Sequence, residues 1–463
     1  MPLGVSEAID FAPTPRVFAA VLEALAAAGS GSGGVVSADD RRAAFEAFRK
    51  LARRVPELPA RWRHRDVLRR FEDLAWSTGR LPLPPRRTGA VGLAPVREAV
   101  SADGQPSALA VANAGGLVHL GSTLLAAHER GDDPRVTLAS LADAARRWPK
   151  RVGALHGRLV RPTSDAYVAL AYAFQNCGAY VDIAEGAQLD APLQLVWMPQ
   201  PHGANAVFSH TVVRVRAGAR ATIVERQLGE SDAFVSGIVE IDVAPGARLD
   251  YVVLSRIDGG IRSSFVRAAR VGAGATIGWH TADLGGALAR SIVRTRLIGA
   301  DANVENNALF FTRGFEHVDA RAEVVHAVPQ TTSRTIRRAA AIDRAQVRVG
   351  GNVRVMPGAI GTRASYREDA LDLSRDSYVY GRPTLETQAH EVHVSHASSI
   401  GGLDEEALFY AQQRGIARGA AAKMIALAFF EPALAGFPSD ALRDEIRTAL
   451  DEGLDEVGDT FET

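Results

Sequence analysis

Short runs of β-branched residues alternating with polar ones fill the middle of this 463-residue chain, as in residues 211–216 (TVVRVR), 238–243 (IVEIDV) and 292–297 (IVRTRL). A period of two sends one set of side chains inward and the other outward, which predicts strands. Between the runs stand Gly-Ala turns at Gly186-Ala187, Gly218-Ala219, Gly246-Ala247 and Gly274-Ala275, with Asp301-Ala302 in the same setting. The alanines recur at intervals of 32, 28, 28 and 27 residues. A period of this size marks stacked supersecondary units. Helical patterns long enough to make βαβ crossovers do not separate the units, which leaves a sandwich or a β-solenoid. The near-constant period selects the solenoid.

On either side the spacing becomes helical. Residues 17–28 carry helical apolar spacing and end at the Gly/Ser run 29–34; Ser37 can cap a helix over 41–54 that aligns Phe45, Phe48 and Leu51. Val67, Phe71, Leu74 and Ala75 repeat about once per turn until Pro82, Pro84 and Pro85 intervene. Residues 108–120 alternate like strands, and 138–147 read as helix. Near the carboxy terminus, Asp404, Glu405 and Glu406 place negative charge at the start of a helix carrying Leu408, Phe409 and Tyr410. A second helix is expected over 420–430, stopped by Pro432, and a third from Ser439 through Leu442, Ile446 and Leu450. The expected organisation is a mainly helical domain over 1–165, a β-solenoid core over 166–402 and a helical domain over 403–463. A solenoid must hide its ends, and the flanking helices are expected to cap them.

Composition narrows the function classes. Lys plus Arg and Asp plus Glu each number 53, so no global field draws in nucleic acid or anionic lipid. Cys177 is the only cysteine, which excludes an intramolecular disulfide and any multi-thiolate cage built by this chain alone. The amino terminus lacks a basic segment followed by an apolar one, and the most apolar stretch, 419–437, is broken by Lys423, Glu431 and Pro432. The expectation is a cytoplasmic protein outside the membrane. A phosphate-binding Gly-x-x-x-x-Gly-Lys-Ser/Thr run is missing, so ATP hydrolysis would belong to another subunit.

Two segments, 169–195 (ALAYAFQNCGAYVDIAEGAQLDAPLQL) and 392–416 (VHVSHASSIGGLDEEALFYAQQRGI), resemble the SufB/SufD family of iron-sulfur cluster assembly scaffolds. Residues 326–333 (HAVPQTTS) are similar to a third family segment, and Arg61, Trp62, Asp66 and Val67 look like a degraded amino-terminal tryptophan motif. The resemblance spans roughly residues 40 to 435. It implies a right-handed parallel β-helix between helical domains and no enzymatic activity. It also implies pairing with a SufB-like paralogue or with a second copy, and a SufC-like ATPase held by the carboxy-terminal helices, where Leu408, Phe409, Tyr410 and Arg414 are the expected contacts. Ser377 stands where SufB carries a cysteine, and Val394-Ser395-His396 stands where SufD-like proteins often show Cys-Ser-His. Serine is a poor iron ligand beside thiolate, so the chain reads as SufD-like and divergent.

His396 is the candidate cluster or metal ligand. A neutral imidazole can complete a site whose thiolates come from a partner, so a transient iron-sulfur cluster is expected at a subunit interface and none on the isolated chain. His390, His393 and His396 are spaced by three, and extended-chain parity puts His390 and His396 on one face with His393 opposite. Cys177 has no neighbouring cation to lower its pKa and reads as a small core residue. Nine arginines between Thr331 and Asp376, against five acids, form a solvated face or a basic stripe for an acidic partner or a phosphate. Two rivals stand beside the scaffold. A β-helix carbohydrate-active lyase or hydrolase would need paired carboxylates, for which Asp242, Asp250 and Asp319 are available. An interaction protein of the same shape without a cluster role is the other.

Overall fold

The computed structural model describes residues 35–52, 115–128, 133–199, 205–231 and 233–457. The helical patterns at 17–28 and 67–75 and the motif around Arg61, Trp62, Asp66 and Val67 lie outside them.

Nineteen strands form two sheets among the described residues. One runs β19-β17-β15-β13-β11-β9-β7-β5-β1-β2 and the other β18-β16-β14-β12-β10-β8-β6-β4-β3. From β4 (Cys177–Ile183) to β19 (His393–Gly401) the chain alternates between the sheets, and each strand pairs in parallel with the strand two places on. This is a parallel β-solenoid in which each turn contributes one strand to each sheet. Among the described residues, only β1 (Gly116–Leu120) with β2 (Thr123–His128) and β3 (Val136–Ser140) with β4 pair antiparallel.

The repeating turns set the period. Gly186, Gly218, Gly246 and Gly274 have φ of +61 to +67°, and Asp301 matches them at +59°. That left-handed conformation is open to glycine and tolerated by aspartate. Each glycine N–H donates to a carbonyl of the next turn: Gly186 to Ala217 (2.8 Å), Gly218 to Pro245 (3.1 Å), Gly246 to Ala273 (2.9 Å) and Gly274 to Ala300 (2.9 Å). The following alanines stack as a buried column. Beyond Ala302 the column becomes Thr331 and Thr362, whose hydroxyls lie 3.4 Å apart, after left-handed Gln330 and Gly361. His326 bridges Thr331 (2.8 Å) and Ser333 (2.9 Å) there.

Helices differ from the sequence reading in three places. The helix read over 138–147 splits into β3 and α2 (Leu141–Arg147), because Ser140 caps at the junction, its Oγ accepting from the Asp143 N–H (3.1 Å). The boundary expected at 165/166 falls before another helix, α4 (Ala166–Phe174), capped by Asp165, while β1 to β3 upstream already extend both sheets. All nine residues of α4 are buried, between the nine-stranded sheet and α1 (Ala38–Ala52), where Phe45 meets Phe174 edge-on at 5.8 Å. After a short helix α3 (Pro149–Gly153), the third difference is at the carboxy terminus, in α5 (Glu405–Gln412), α6 (Arg418–Leu434) and α7 (Asp440–Asp455). The α6 helix runs past Pro432, held by buried Phe430, Ala433 and Leu434.

The carboxy-terminal helices do not cap the solenoid end. They cover the outer face of the ten-stranded sheet, where Val252, Leu254, Leu309, Phe311 and Ile336 make outward positions apolar and pack against Ala422, Ala426, Phe430 and Phe437. A sheet apolar on both faces must be covered on both. The strands β18 (Tyr378–Thr387) and β19 consequently remain as edges at one end.

The interior is mixed. An apolar cluster including Ile223, Tyr251 and Trp279 is interrupted by Glu225, which accepts from Arg267 (2.7 Å), the Tyr251 hydroxyl (2.5 Å) and Gln227 (2.7 Å). Burial pushes the Glu225 carboxyl up, but the Arg267 charge and these bonds outweigh it and hold it below the usual value. Asp283 has the opposite balance: burial pushes it up to about 7 against a Gly285 backbone bond and the Arg267 charge. One of its oxygens has no hydrogen-bond partner among the described residues. A carboxyl with a raised folded pKa keeps its proton after the unfolded chain has lost its own, so its contribution to stability falls as pH rises from about 4 to 7. Thermal melts from pH 5 to 8 should show that fall, and Asp283→Asn should flatten it and gain about 1–3 kcal/mol at pH 8. Parallel profiles for the two proteins would contradict this.

Candidate functional site

The exposed end is built by β17 (Arg363–Asp372), β18 and β19. In β17, Ala364, Tyr366, Glu368 and Ala370 are buried, whereas Arg363, Ser365 and Arg367 are exposed. The parallel register pairs Ala364 with Val394, Tyr366 with His396, Glu368 with Ser398 and Ala370 with Ile400. Val394, His396, Ser398 and Ile400 therefore continue the interior columns into a last strand over which no further turn is laid. His396, Ser398 and Ile400 are exposed for that reason, and Val394 is half-buried. Gly381 on β18 completes the mouth, for a Cβ there would lie 2.6 Å from Glu368 Oε1, 2.9 Å from Ser398 Oγ and 3.5 Å from Ile400 Cδ1.

Below this rim lies a buried polar group. The Tyr366 hydroxyl donates to Glu368 Oε2 (2.7 Å), and Arg337, in register with Glu368, donates to the carbonyls of Ala320 (3.0 Å) and Gly350 (2.6 Å) over the Phe310 ring. Burial raises the Glu368 carboxyl above its usual value despite the Arg337 charge. The mouth thus offers one exposed imidazole above a buried carboxyl, not a closed ligand set. No group of three or more His, Cys, Asp or Glu side chains is placed to hold a metal among the described residues.

The three histidines separate. His393 lies opposite exposed Arg363, His396 opposite buried Tyr366, and His390 precedes Glu391, whose φ of +54° breaks the extended run before β19 begins. The expected shared face for His390 and His396 presumes unbroken strand, and that turn interrupts it. Cys177 starts β4, its Sγ 3.7 Å from the Phe208 carbonyl, and burial pushes the thiol well above its usual value. Seven strand-to-strand steps separate β4 from β18 in their sheet, roughly 34 Å at about 4.8 Å each. Cys177 and His396 cannot share a site. Ser377 braces the β17–β18 turn, donating to Ser374 O (2.8 Å) and bonding Asp372.

Of the expected contacts on α5, Phe409 (62% exposed) and Tyr410 (60%) face solvent, and Arg414 lies over the Tyr410 ring at 4.3 Å. Leu408 is fully buried in the carboxy-terminal core, so it anchors the helix and cannot touch a partner. Phe409 and Tyr410 line a shallow hollow with Glu405, Glu406 and Gln413, and Met424 of α6 is also exposed.

The basic stripe is largely neutralised or turned inward. Arg337 is interior, Arg338 and Arg367 both meet Asp369, Arg354 meets Glu386, and Arg344 lies 3.7 Å from Asp376. The carboxylates considered for sugar chemistry are tied up separately: Asp242 by Arg270, Asp250 by Arg248 and His280, Asp319 by Arg321. Sequence reasoning missed Tyr366, Glu368, Ser398 and Ile400. Strand parity would have grouped Ser398 and Ile400 with His396, but the β17 partners follow only from register.

The family model for the SUF system FeS cluster assembly SufBD core domain matches residues 198–429, half of the chain. An iron-sulfur cluster assembly SufBD family protein of Mycobacterium leprae (strain TN) is 26% identical over 265 residues, 57% of this chain and 30% of that protein. The iron-sulfur cluster assembly protein SufB of Bacillus subtilis (strain 168) is 23% identical over 278 residues, 59% of this chain and 60% of that protein. A SufBD family protein of Staphylococcus saprophyticus is 25% identical over 277 residues, with 59% of each chain covered. The chain thus spans about a quarter to three-fifths of the length of the curated relatives it matches. The core-domain match, on the parallel β-solenoid that carries it, places this chain in the SufBD family.

Proposed function

We propose that this chain is a SufD-like, non-catalytic scaffold subunit for iron-sulfur cluster assembly in the cytoplasm. It pairs through its exposed solenoid end with a SufB-like paralogue or a second copy, and a SufC-like ATPase docks on the α5–α6 surface. The cluster is cargo, held transiently where His396 meets thiolates from the partner. The observation that carries this reading is the placement of His396 on an interior column of an uncovered terminal strand, beside exposed Ile400. An edge of unpaired backbone groups with apolar side chains on its inner face is a liability unless another chain covers it. Phe409, Tyr410 and Met424 support a second docking surface, since exposed aromatics and methionine are enriched at protein interfaces. With one cysteine, the isolated chain has too few thiolates for a stable cluster. No helix among the described residues is long and apolar enough to cross a membrane.

His396→Ala removes an exposed side chain, so its melting temperature should match the parent, with a stability change within about 0.5 kcal/mol. Cluster yield on the complex reconstituted with a SufB-like partner, iron and sulfide should fall. An unchanged yield, or a large loss of stability, would remove His396 from the site.

Phe409→Ser with Tyr410→Ser should abolish capture of a SufC-like ATPase in a pull-down while leaving the melt unchanged. Leu408→Ser should instead cost about 2–5 kcal/mol of stability, because it empties a core position. Full capture by the double variant would place the ATPase elsewhere.

A further inference from the structure

The outer face of the nine-stranded sheet carries a hollow near its exposed end. Its middle row crosses β14 (His317–His326), β16 (Gln346–Val355) and β18 as Arg321, Gly350 and Arg382, in register. Along β16 the next outward positions are Arg348 on one side of Gly350 and Asn352 on the other. A central position without a side chain, ringed by long ones, leaves a cleft of about 230 Å³. Gly350 cannot be filled: a Cβ there would lie 2.9 Å from the Arg382 carbonyl oxygen.

The charges around the hollow do not cancel. Of the two acids at its rim, Asp319 is held by Arg321 (3.2 Å) and Glu323 by Arg294 (3.0 Å). Arg348 and Arg382 have no carboxylate within ion-pair distance among the described residues. Arg348 lies against the Tyr380 ring at 5.3 Å, which fixes its plane and leaves its N–H edge free. Asn352 donates to Glu386 (2.7 Å), and its own Oδ1 is buried without a partner, an acceptor left for a ligand hydroxyl.

We infer that this hollow binds the phosphate head of a small phosphomonoester over Gly350. Arg348 and Arg382, neither with a carboxylate partner among the described residues, bring two guanidinium groups to the hollow, while Arg321 is occupied by Asp319. A planar carboxylate is satisfied by one bidentate arginine, whereas a tetrahedral oxyanion has oxygens to offer each of several. The unpartnered Asn352 Oδ1 matches a hydroxyl on the alcohol portion of the ester. The site belongs to the outer sheet face and is independent of the mouth around His396.

The test is a titration of the full chain with glycerol phosphate, inorganic phosphate and acetate, followed by calorimetry and by phosphorus line broadening for the two phosphates. Saturable binding of glycerol phosphate, weaker for inorganic phosphate and not detectable for acetate, is expected. Arg348→Gln and Arg382→Gln should each weaken it about tenfold, the loss of one charge-assisted contact, with melting temperatures unchanged. Arg334→Gln, exposed on the other sheet, should have no effect. Inorganic phosphate binding as tightly as the ester would overturn the assignment of Asn352 and the ester class. Acetate binding equally well, no saturable binding by either phosphate, or affinity indifferent to Arg348 and Arg382 would overturn the site.

Discussion

Most turns of the solenoid are fastened to the next by a left-handed residue whose amide donates one turn ahead, and the rest of the structure depends on that repeated bond. Gly186, Gly218, Gly246 and Gly274 make it, and aspartate and glutamine adopt the same backbone at 301 and 330. Because the bond joins equivalent points of successive turns, it holds strand register constant. Constant register stacks like positions into columns, such as the buried alanines beside the turns. A one-residue slip anywhere would send each interior side chain to the surface.

Columns in turn determine what the end of the solenoid presents. An interior position is buried only while another turn follows, so the last strand displays side chains whose alignment was set for an interior. His396 stands where Tyr366 stands one turn earlier, and Ser398 where Glu368 stands. The proposed cluster site lies at that rim. An imidazole held on a strand, above a carboxyl that burial raises above its usual pKa, is oriented by the fold rather than by a loop.

Much of this was legible in the sequence. The Gly-Ala recurrence announced the solenoid because the left-handed turn has a narrow residue preference, and strand alternation at 211–216, 238–243 and 292–297 marked two-faced strands. Other features were not legible because they depend on partners distant in the chain. Residues 138–147 carry one apolar pattern, but the strand partner of 136–140 is 179–183, which only the fold supplies. The carboxy-terminal helices read as end caps because their apolar faces could not be assigned to a surface, and the apolar outer face of the ten-stranded sheet claims them. Leu408 and Phe409 look equivalent in sequence, yet helix phase buries one and exposes the other. The polar interior around Glu225 and Glu368 was hidden for a similar reason, since each acid acquires its arginine from another turn.

The change in the turn column from alanine to threonine alters how the two halves of the solenoid lose order. In a linear array each unit is stabilised by its neighbours, so opening propagates inward from whichever end has a missing one. Toward the exposed end, the column rests on the hydroxyls of Thr331 and Thr362 and on His326, directional contacts that water can replace once the turn loosens. The alanine column farther in offers water nothing equivalent. Fraying therefore begins at the rim and meets its first purely apolar barrier near Ala302, and a subunit docked on β18 and β19 would act as the missing neighbour, converting the most labile turn of the array into an internal one.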